Sequence, residues 1–149
     1  MYRLFIIILF CLAVRPAAAQ RGRDTFKLYF DLNVTRLNAE AEKRIDLLIY
    51  NDKIINGSSI MIIGYADYLG SEKYNKGLSM KRAQNILDYL VKYGIDARYI
   101  KLVEGKGEID KGIAPKGGVP HDRRVDIVVN NMTRKLPPKT KTPPQNVNV

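Results

Sequence analysis

The sequence predicts an α/β domain, an α+β sandwich in the order β-α-β-α-β-β with both helices packed on a small mixed sheet. Two observations support this fold class. Segments with the apolar pattern of strands alternate with segments whose apolar residues recur at helical spacing. Helices that connect neighbouring strands by right-handed crossovers lie on the same face of the sheet. About 130 residues remain after the N-terminal segment, which is enough for one core and too few for two.

The first three elements are predicted from local patterns. Residues 26 to 31 alternate apolar and polar side chains, which is typical of a half-buried strand. Residues 39 to 54 carry apolar residues at helical spacing, and Asn38 is a suitable N-cap. Residues 60 to 63 form a continuous apolar run between turn signals, which favours a central strand covered on both faces.

The remaining elements begin with the longest helix of the chain. It is predicted over residues 72 to 93, with Ser71 as its N-cap and Gly94 as its stop signal. Strands are predicted over residues 100 to 104 and 123 to 130. In the second of these, the apolar residues at alternate positions share one face.

The N-terminus has the form of a secretory signal. Arg3 precedes an apolar run from Leu4 to Val14, and Ala17-Ala18-Ala19 offers a small-residue cleavage site. We expect cleavage after Ala19, because about 11 apolar residues fall short of the roughly 20 that span a bilayer. A retained membrane anchor is the alternative. Cys11 follows the bulky Phe10, which disfavours lipidation, so the mature chain is expected to contain no cysteine.

Composition divides the rest of the chain into a flexible leader (20 to 25), a folded domain (26 to 131) and a disordered tail rich in Pro and Lys (132 to 149). The formal net charge of +10 includes Arg3 and Arg15 of the signal, which leaves +8 on the mature chain. Four of these charges lie in the tail, which has no acidic residue. The domain itself is mildly basic, so nucleic acid is not an expected partner.

A candidate site begins at Asp67, where the strand of residues 60 to 63 runs into the turn that opens the long helix. Asn75, Arg82 and Tyr89 recur every seven residues along one flank of that helix. Helical side chains lean toward the N-terminus, so we expect the Arg82 guanidinium to face the Asp67 carboxylate across a shallow groove. The pair is either a surface salt bridge worth about 0 to 1 kcal/mol or a site for a zwitterionic amino-acid centre.

Several sequence runs resemble the OmpA-like C-terminal domain family, and the resemblance covers about residues 26 to 131. The runs are Tyr29-Phe30-Asp31-Leu32-Asn33, Gly64-Tyr65-Ala66-Asp67-Tyr68-Leu69-Gly70, Asn75-Lys76-Gly77-Leu78-Ser79, Lys81-Arg82-Ala83-Gln84 and Asp122-Arg123-Arg124-Val125-Asp126-Ile127.

The resemblance implies a noncatalytic periplasmic domain that binds the diaminopimelate-containing stem peptide of peptidoglycan and links an envelope component to the cell wall. It implies that Asp67 and Arg82 hold the two charged ends of the diaminopimelate centre. Asn75, Asn33 and Arg123 would add hydrogen bonds around them. No cofactor and no metal are implied. A peripheral association with the outer membrane is compatible with this role.

The sequence departs from the family pattern beside the aspartate. The family usually has Thr immediately before it and often His two residues ahead of it, where this chain has Ala66 and Tyr65. Loss of the hydroxyl removes one hydrogen bond, worth about 0.5 to 1.5 kcal/mol. We therefore expect weaker binding with the charged pair retained.

The residues also bear on two other functional classes, an enzyme and a structural adaptor. An enzyme is not expected, because His121 is the only histidine and no second histidine or cysteine completes a familiar zinc spacing. No serine is placed beside His121 by the sequence. The alternative is a structural adaptor that contacts an envelope protein through its basic Pro-rich tail, with weak or no peptidoglycan binding.

Overall fold

The structure is a computed structural model that describes residues 22 to 109 and 116 to 131. The predicted signal segment and the predicted tail lie outside the described residues. The described part forms a four-stranded mixed sheet with two helices on one face, which confirms the predicted fold class. The main elements are β1 (Arg23–Tyr29), α1 (Ala39–Tyr50), β2 (Ser59–Ala66), α2 (Glu72–Lys92), β3 (Ile100–Glu108) and β4 (Arg124–Asn130), with short 3-10 turns at Ala97–Tyr99 and Pro120–Asp122.

The sheet order is β1-β4-β2-β3. Strand β4 is antiparallel to both β1 and β2, whereas β2 and β3 are parallel. The ends of β1, β2 and β3 and the beginning of β4 therefore share one end of the sheet. At the opposite end, Arg23 pairs with Asn130, and Ser58 donates a 2.9 Å hydrogen bond to Asn131.

The core lies between the two helices and one face of the sheet. Both helices contribute to a single buried cluster, and burial of each large aliphatic side chain contributes about 1.5 to 3 kcal/mol. Its fully buried members from the strands are Leu28, Ile60, Ile62, Val125, Ile127 and Val129, and those from the helices are Ile45, Ala83, Ile86 and Leu90.

Strand β2 was predicted to be covered on both faces, and this prediction is wrong. Its burial alternates: Ile60 and Ile62 are buried, whereas Met61 and Ile63 are only partly buried. The reason is that both helices pack on the same face. The continuous apolar run of β2 gave no sign of this asymmetry, because apolar residues occupy both of its faces.

Helix α2 packs very closely on β2 and β3. A Cβ atom at Gly64 would overlap the main chain of Ser79, and one at Gly105 would overlap the main chain of Met80. Ser79 fixes this contact, because its hydroxyl accepts a 2.9 Å hydrogen bond from the Gly107 amide. Only glycine permits such an approach, so these positions set the height of α2 above the sheet.

The predicted helix signals are confirmed. The Asn38 side chain accepts a 2.8 Å hydrogen bond from the Ala41 amide, and the Ser71 hydroxyl accepts one of 3.2 Å from Tyr74. Gly94 follows α2 with a positive φ of 91°.

Several element boundaries differ from the prediction, among them those of β1, α1 and β3. Strand β1 begins at Arg23, inside the segment predicted as a flexible leader, because β4 supplies pairing partners for residues 23 to 25. Helix α1 ends at Tyr50 rather than residue 54, since Asp52 has a positive φ of 59°. Strand β3 continues to Glu108 rather than stopping at residue 104.

Candidate functional site

The predicted site residues are delivered by four elements to the end of the sheet where β1, β2 and β3 terminate. Asn33 follows β1, Asp67 follows β2, and Arg123 immediately precedes β4. Asn75 and Arg82 lie on α2, which runs back from the Asp67 turn. The topology therefore brings all five into one region.

Arg82 is fully buried and holds the surrounding main chain together. Its Nε donates a 2.8 Å hydrogen bond to the Val34 carbonyl, Nη1 a 3.1 Å bond to that of Tyr65, and Nη2 a 2.9 Å bond to that of Asp31. The guanidinium carbon also lies 5.1 Å from the centre of the Phe30 ring. Arg82 thus links the connection after β1 to the end of β2.

The Arg82 guanidinium keeps its charge and part of its hydrogen-bonding capacity. Burial lowers the pKa of Arg82 to about 10, the nearby Asp67 carboxylate opposes this shift, and Arg123 reinforces it. A guanidinium has five N–H groups, and three of those of Arg82 donate to carbonyls. Within the described part of the chain, the second N–H on each terminal nitrogen makes no hydrogen bond.

Asp67 is also buried, with 1% of its surface exposed, and its partner is Arg123. Nη1 of Arg123 lies 3.0 Å from Oδ2 of Asp67, and its Nε donates a 3.3 Å hydrogen bond to the Phe30 carbonyl. Gly118 packs directly against the carboxylate, and its amide donates a 3.1 Å hydrogen bond to the Tyr68 hydroxyl. A covering segment and an internal cation therefore enclose Asp67.

The expectation that Asp67 and Arg82 face each other across a shallow groove is wrong, and so is the alternative of a surface salt bridge between them. The two side chains interact electrostatically, but both are buried and the carboxylate pairs with Arg123. The sequence spacing identified the correct helix flank. It did not reveal that the connection after β1 lies over Arg82 or that Gly118 lies over Asp67.

Asn75 presents an unsatisfied acceptor in the same region. The residue is fully buried, and its Nδ2 donates a 3.2 Å hydrogen bond to Glu108. Its Oδ1 is buried without a hydrogen-bond partner among the described residues and faces the turn at Gly70. An unsatisfied buried polar atom costs about 1 to 3 kcal/mol, and such atoms call for an explanation in strain, catalysis, or a bound water, ion or ligand.

Asn33 lies at the exposed rim of the site. It has a positive φ of 57°, a conformation that asparagine tolerates better than most residues. Its Oδ1 accepts a 3.3 Å hydrogen bond from the Tyr74 hydroxyl. Asn33 therefore forms the turn after β1, and its side chain also contacts the first turn of α2 through Tyr74.

The two consecutive arginines before β4 have different surroundings. Arg123 reaches Asp67, whereas Arg124 lies on the other face of the sheet, 3.0 Å from Asp126 and over the ring of Tyr65. The motif-based choice of Arg123 as the site residue is consistent with this geometry. Alternation along the strand explains it, because adjacent side chains point to opposite faces.

Three further residues of this region, Tyr74, Gly118 and Glu108, are not predicted from the sequence. Tyr74 lies three residues after the N-cap of α2, and its position beside Asn33 depends on the packing of α2. Gly118 belongs to a Gly-Gly pair in a loop, which signals a turn without indicating what it covers. Glu108 became visible only because β3 runs farther than predicted.

The described residues contain no group of three or more His, Cys, Asp or Glu side chains placed to hold a metal ion. His121 packs edge-on against Tyr29 at 5.7 Å. Across residues 22 to 109 and 116 to 131, neither helix combines the length and the apolar character that crossing a bilayer requires.

Comparison with known proteins gives a consistent result. The OmpA family model matches residues 29–124. Outer membrane protein A of Klebsiella aerogenes is 38% identical over 107 residues, covering 65% of this chain and 30% of that protein. The protein of the same name from Serratia marcescens is 34% identical over 118 residues, covering 69% of this chain and 33% of that protein. This chain spans about a third of the length of these relatives.

Solved structures show the same fold at low sequence identity. The peptidoglycan-associated lipoprotein from Burkholderia pseudomallei matches with a TM-score of 0.56 at 21% identity, covering 70% of this chain and 89% of that one. The periplasmic domain of Helicobacter pylori MotB matches with a TM-score of 0.53 at 21% identity, covering 71% of this chain and 74% of that one.

Proposed function

This chain belongs to the OmpA family, and we propose that it binds the diaminopimelate centre of the peptidoglycan stem peptide without changing it chemically. The binding region is the end of the sheet that carries Asp67, Arg82 and Asn75. In this role the protein links an envelope component to the cell wall from the periplasm.

The observation that carries the proposal is a set of unused hydrogen-bonding groups beside a carboxylate. Arg82 has one free N–H on each terminal nitrogen, and Asn75 has a free Oδ1, among the described residues. A zwitterionic amino-acid centre presents a carboxylate for the two N–H groups of Arg82. Its ammonium would bind Asp67 and the Oδ1 of Asn75. Arg123 and Asn33 would add contacts at the rim.

Ligand entry requires a local rearrangement, because Asp67 is almost fully buried. Gly118 must move away from the carboxylate, and Arg123 must share or release it. Gly117 and Gly118 both have positive φ values, of 101° and 84°, which most other residues adopt only with strain. Binding energy must therefore exceed the cost of opening this contact.

Relatives support the proposed role and location. One structural neighbour is named as a peptidoglycan-associated lipoprotein, another is described as a periplasmic domain, and the sequence relatives are named outer membrane protein A. The proposed division of the chain, with a signal removed after Ala19, a leader and a C-terminal tail, is consistent with export to the same compartment. N-terminal sequencing of the exported protein would test the cleavage position.

The direct test is co-sedimentation of the exported protein with sacculi that contain diaminopimelate. We expect Asp67→Asn to abolish pelleting, because it removes the charge and keeps the shape of the side chain. Asp88→Asn is the matched control, since it removes an equal charge from an exposed position of α2. Lysine-type sacculi, which lack the second amino-acid centre, should not retain the wild-type protein. Equal pelleting of wild type and Asp67→Asn would refute the proposed site.

A second variant distinguishes the tail from the domain. Deletion of residues 133 to 149 should leave pelleting largely unchanged, because all proposed ligand contacts lie in the domain. Loss of pelleting on deletion would instead support the adaptor function, in which the basic tail makes the important contact with an envelope partner.

A further inference from the structure

A groove of about 610 Å³ lies beside the candidate site, between the connection after β1 and the first half of α2. We call it the lysine groove. Its walls include Asn33, Lys73, Tyr74, Gly77 and Lys81.

The lysine groove adjoins the candidate site at Asn33. Asn33 belongs to both, and the Tyr74 hydroxyl donates to it at 3.3 Å. The Tyr74 ring also packs against Gly70, in the turn that begins at Asp67. A ligand that reached from Asp67 past Asn33 would therefore arrive at the groove beside Tyr74.

The charge of the groove is positive and uncompensated. Lys73 and Lys81 are exposed, and neither forms an ion pair or hydrogen bond with the residues that the structure describes. Ser71 and Thr35 add hydroxyl groups to the lining. Two free ammonium groups and two hydroxyls are suited to a carboxylate-bearing ligand.

Gly77 leaves the middle of the groove open. It lies within α2, where glycine costs roughly 1 kcal/mol relative to alanine, and it does not have a positive φ. A Cβ added there would meet no atom within 4 Å. Neither backbone conformation nor close packing requires glycine at this position, and a larger side chain would project into the space between the two lysines.

We infer that the lysine groove binds the carboxylate-bearing arm of the same peptide whose diaminopimelate centre lies at Asp67 and Arg82. The occupant is the acidic residue linked to diaminopimelate, whose carboxylate meets Lys73 and Lys81. This inference rests on the proposed function and adds a second point of recognition to it. A peptide would then be read by its zwitterionic centre and by the charge of its neighbouring residue.

The test compares two peptides that differ at one group. The acidic probe is N-acetyl-L-alanyl-γ-D-glutamyl-meso-diaminopimelate, and the neutral probe has the glutamyl α-carboxylate converted to an amide. By isothermal titration calorimetry at low salt, the wild-type protein should bind the acidic probe about tenfold more tightly than the neutral one. The ratio should decrease as salt is added.

Two variants locate the effect. Lys73→Gln combined with Lys81→Gln should reduce the ratio to about one, whereas Lys43→Gln combined with Lys53→Gln, which removes the same charge from exposed positions outside the groove, should preserve it. Gly77→Leu should weaken both peptides and leave free meso-diaminopimelate unaffected, because it fills the groove and not the site at Asp67.

The outcomes separate the two proposals. If the wild type binds both peptides equally, or if the variant lacking Lys73 and Lys81 keeps the tenfold ratio, the lysine groove is refuted while the proposed function stands. If the wild type binds neither peptide nor free meso-diaminopimelate, the proposed function fails and the groove inference fails with it.

Discussion

Nη1 of Arg123 lies 3.0 Å from Oδ2 of Asp67, and both side chains are largely enclosed, with 14% and 2% of their side-chain surfaces exposed. An ion pair in such surroundings is costly to break from one side, because the remaining charge stays buried without its partner. The pair therefore serves two purposes. It closes the end of the sheet in the folded protein, and it holds the carboxylate that the proposed ligand must reach.

Arg123→Ala should lower the free energy of unfolding by about 3 kcal/mol, because it leaves the Asp67 carboxylate with only the more distant Arg82 for compensation. In urea unfolding, the variant that combines Arg123→Ala with Asp67→Asn should lose less free energy of unfolding than the sum of the losses in the two single variants. Arg98→Ala, which breaks an exposed ion pair with Asp96, should leave the unfolding midpoint nearly unchanged. Additive losses in the double variant would contradict a direct coupling.

Gly64→Ala and Gly77→Ala should change stability in opposite directions. A Cβ at Gly64 overlaps the main chain of Ser79, so α2 must shift and the free energy of unfolding should fall by about 2 kcal/mol. A Cβ at Gly77 meets nothing within 4 Å, and alanine favours the helix more than glycine does. The free energy of unfolding should therefore rise by about 0.5 to 1 kcal/mol. Thermal unfolding of the two variants checks both signs, and tolerance of Gly64→Ala would show that α2 is not held at its observed height.

Tyr89 should make the fold sensitive to high pH. Burial raises the pKa of its hydroxyl, and a 3.0 Å hydrogen bond to Asp46 raises it further. The unfolded chain releases this proton near its ordinary pKa of about 10 while the folded chain retains it. The stabilisation of the folded state by Tyr89 is thus fully present below pH 10 and decreases as the pH rises above 10.

Tyr89→Phe tests this expectation. Because the variant lacks the hydrogen bond to Asp46, its free energy of unfolding at neutral pH should be about 2 kcal/mol lower than that of the wild type. Between pH 10 and 11, its free energy of unfolding should decline less steeply than that of the wild type. Urea unfolding across this pH range measures both. Parallel declines in the two proteins would place the alkaline sensitivity elsewhere.

Local signals in the sequence predicted most of the fold. Asn38 and Ser71 cap their helices as expected, since capping depends only on residues within one turn. The core-facing residues Val125, Ile127 and Val129 of β4 follow from its alternating pattern, although Asp126 and Val128 on the opposite face are buried as well. The early start of β1 was not predicted, because residues 23 to 25 have no strand pattern of their own and are extended by pairing with β4.

The sequence predicted which of the site residues lie near one another better than it predicted their contacts. The OmpA-like motifs identified Asp67, Arg82 and Arg123, and these lie in one region. The pairing of Asp67 with Arg123 and the burial of Arg82 under main-chain carbonyls depend on how the connection after β1 and the segment at Gly118 fold over the sheet. Long-range packing of this kind does not produce a periodic pattern in the sequence, so it could not be predicted.

The antiparallel pairing of β1 with β4 has a mechanical consequence. Because Arg23 and Asn130 are partners, the polypeptide enters and leaves the domain side by side, at the pole remote from Asp67. Tension between a ligand held near Asp67 and an attachment at either end of the domain would run along the strands. The hydrogen bonds between the strands lie perpendicular to the strand direction. They would therefore be loaded together in shear rather than broken one after another.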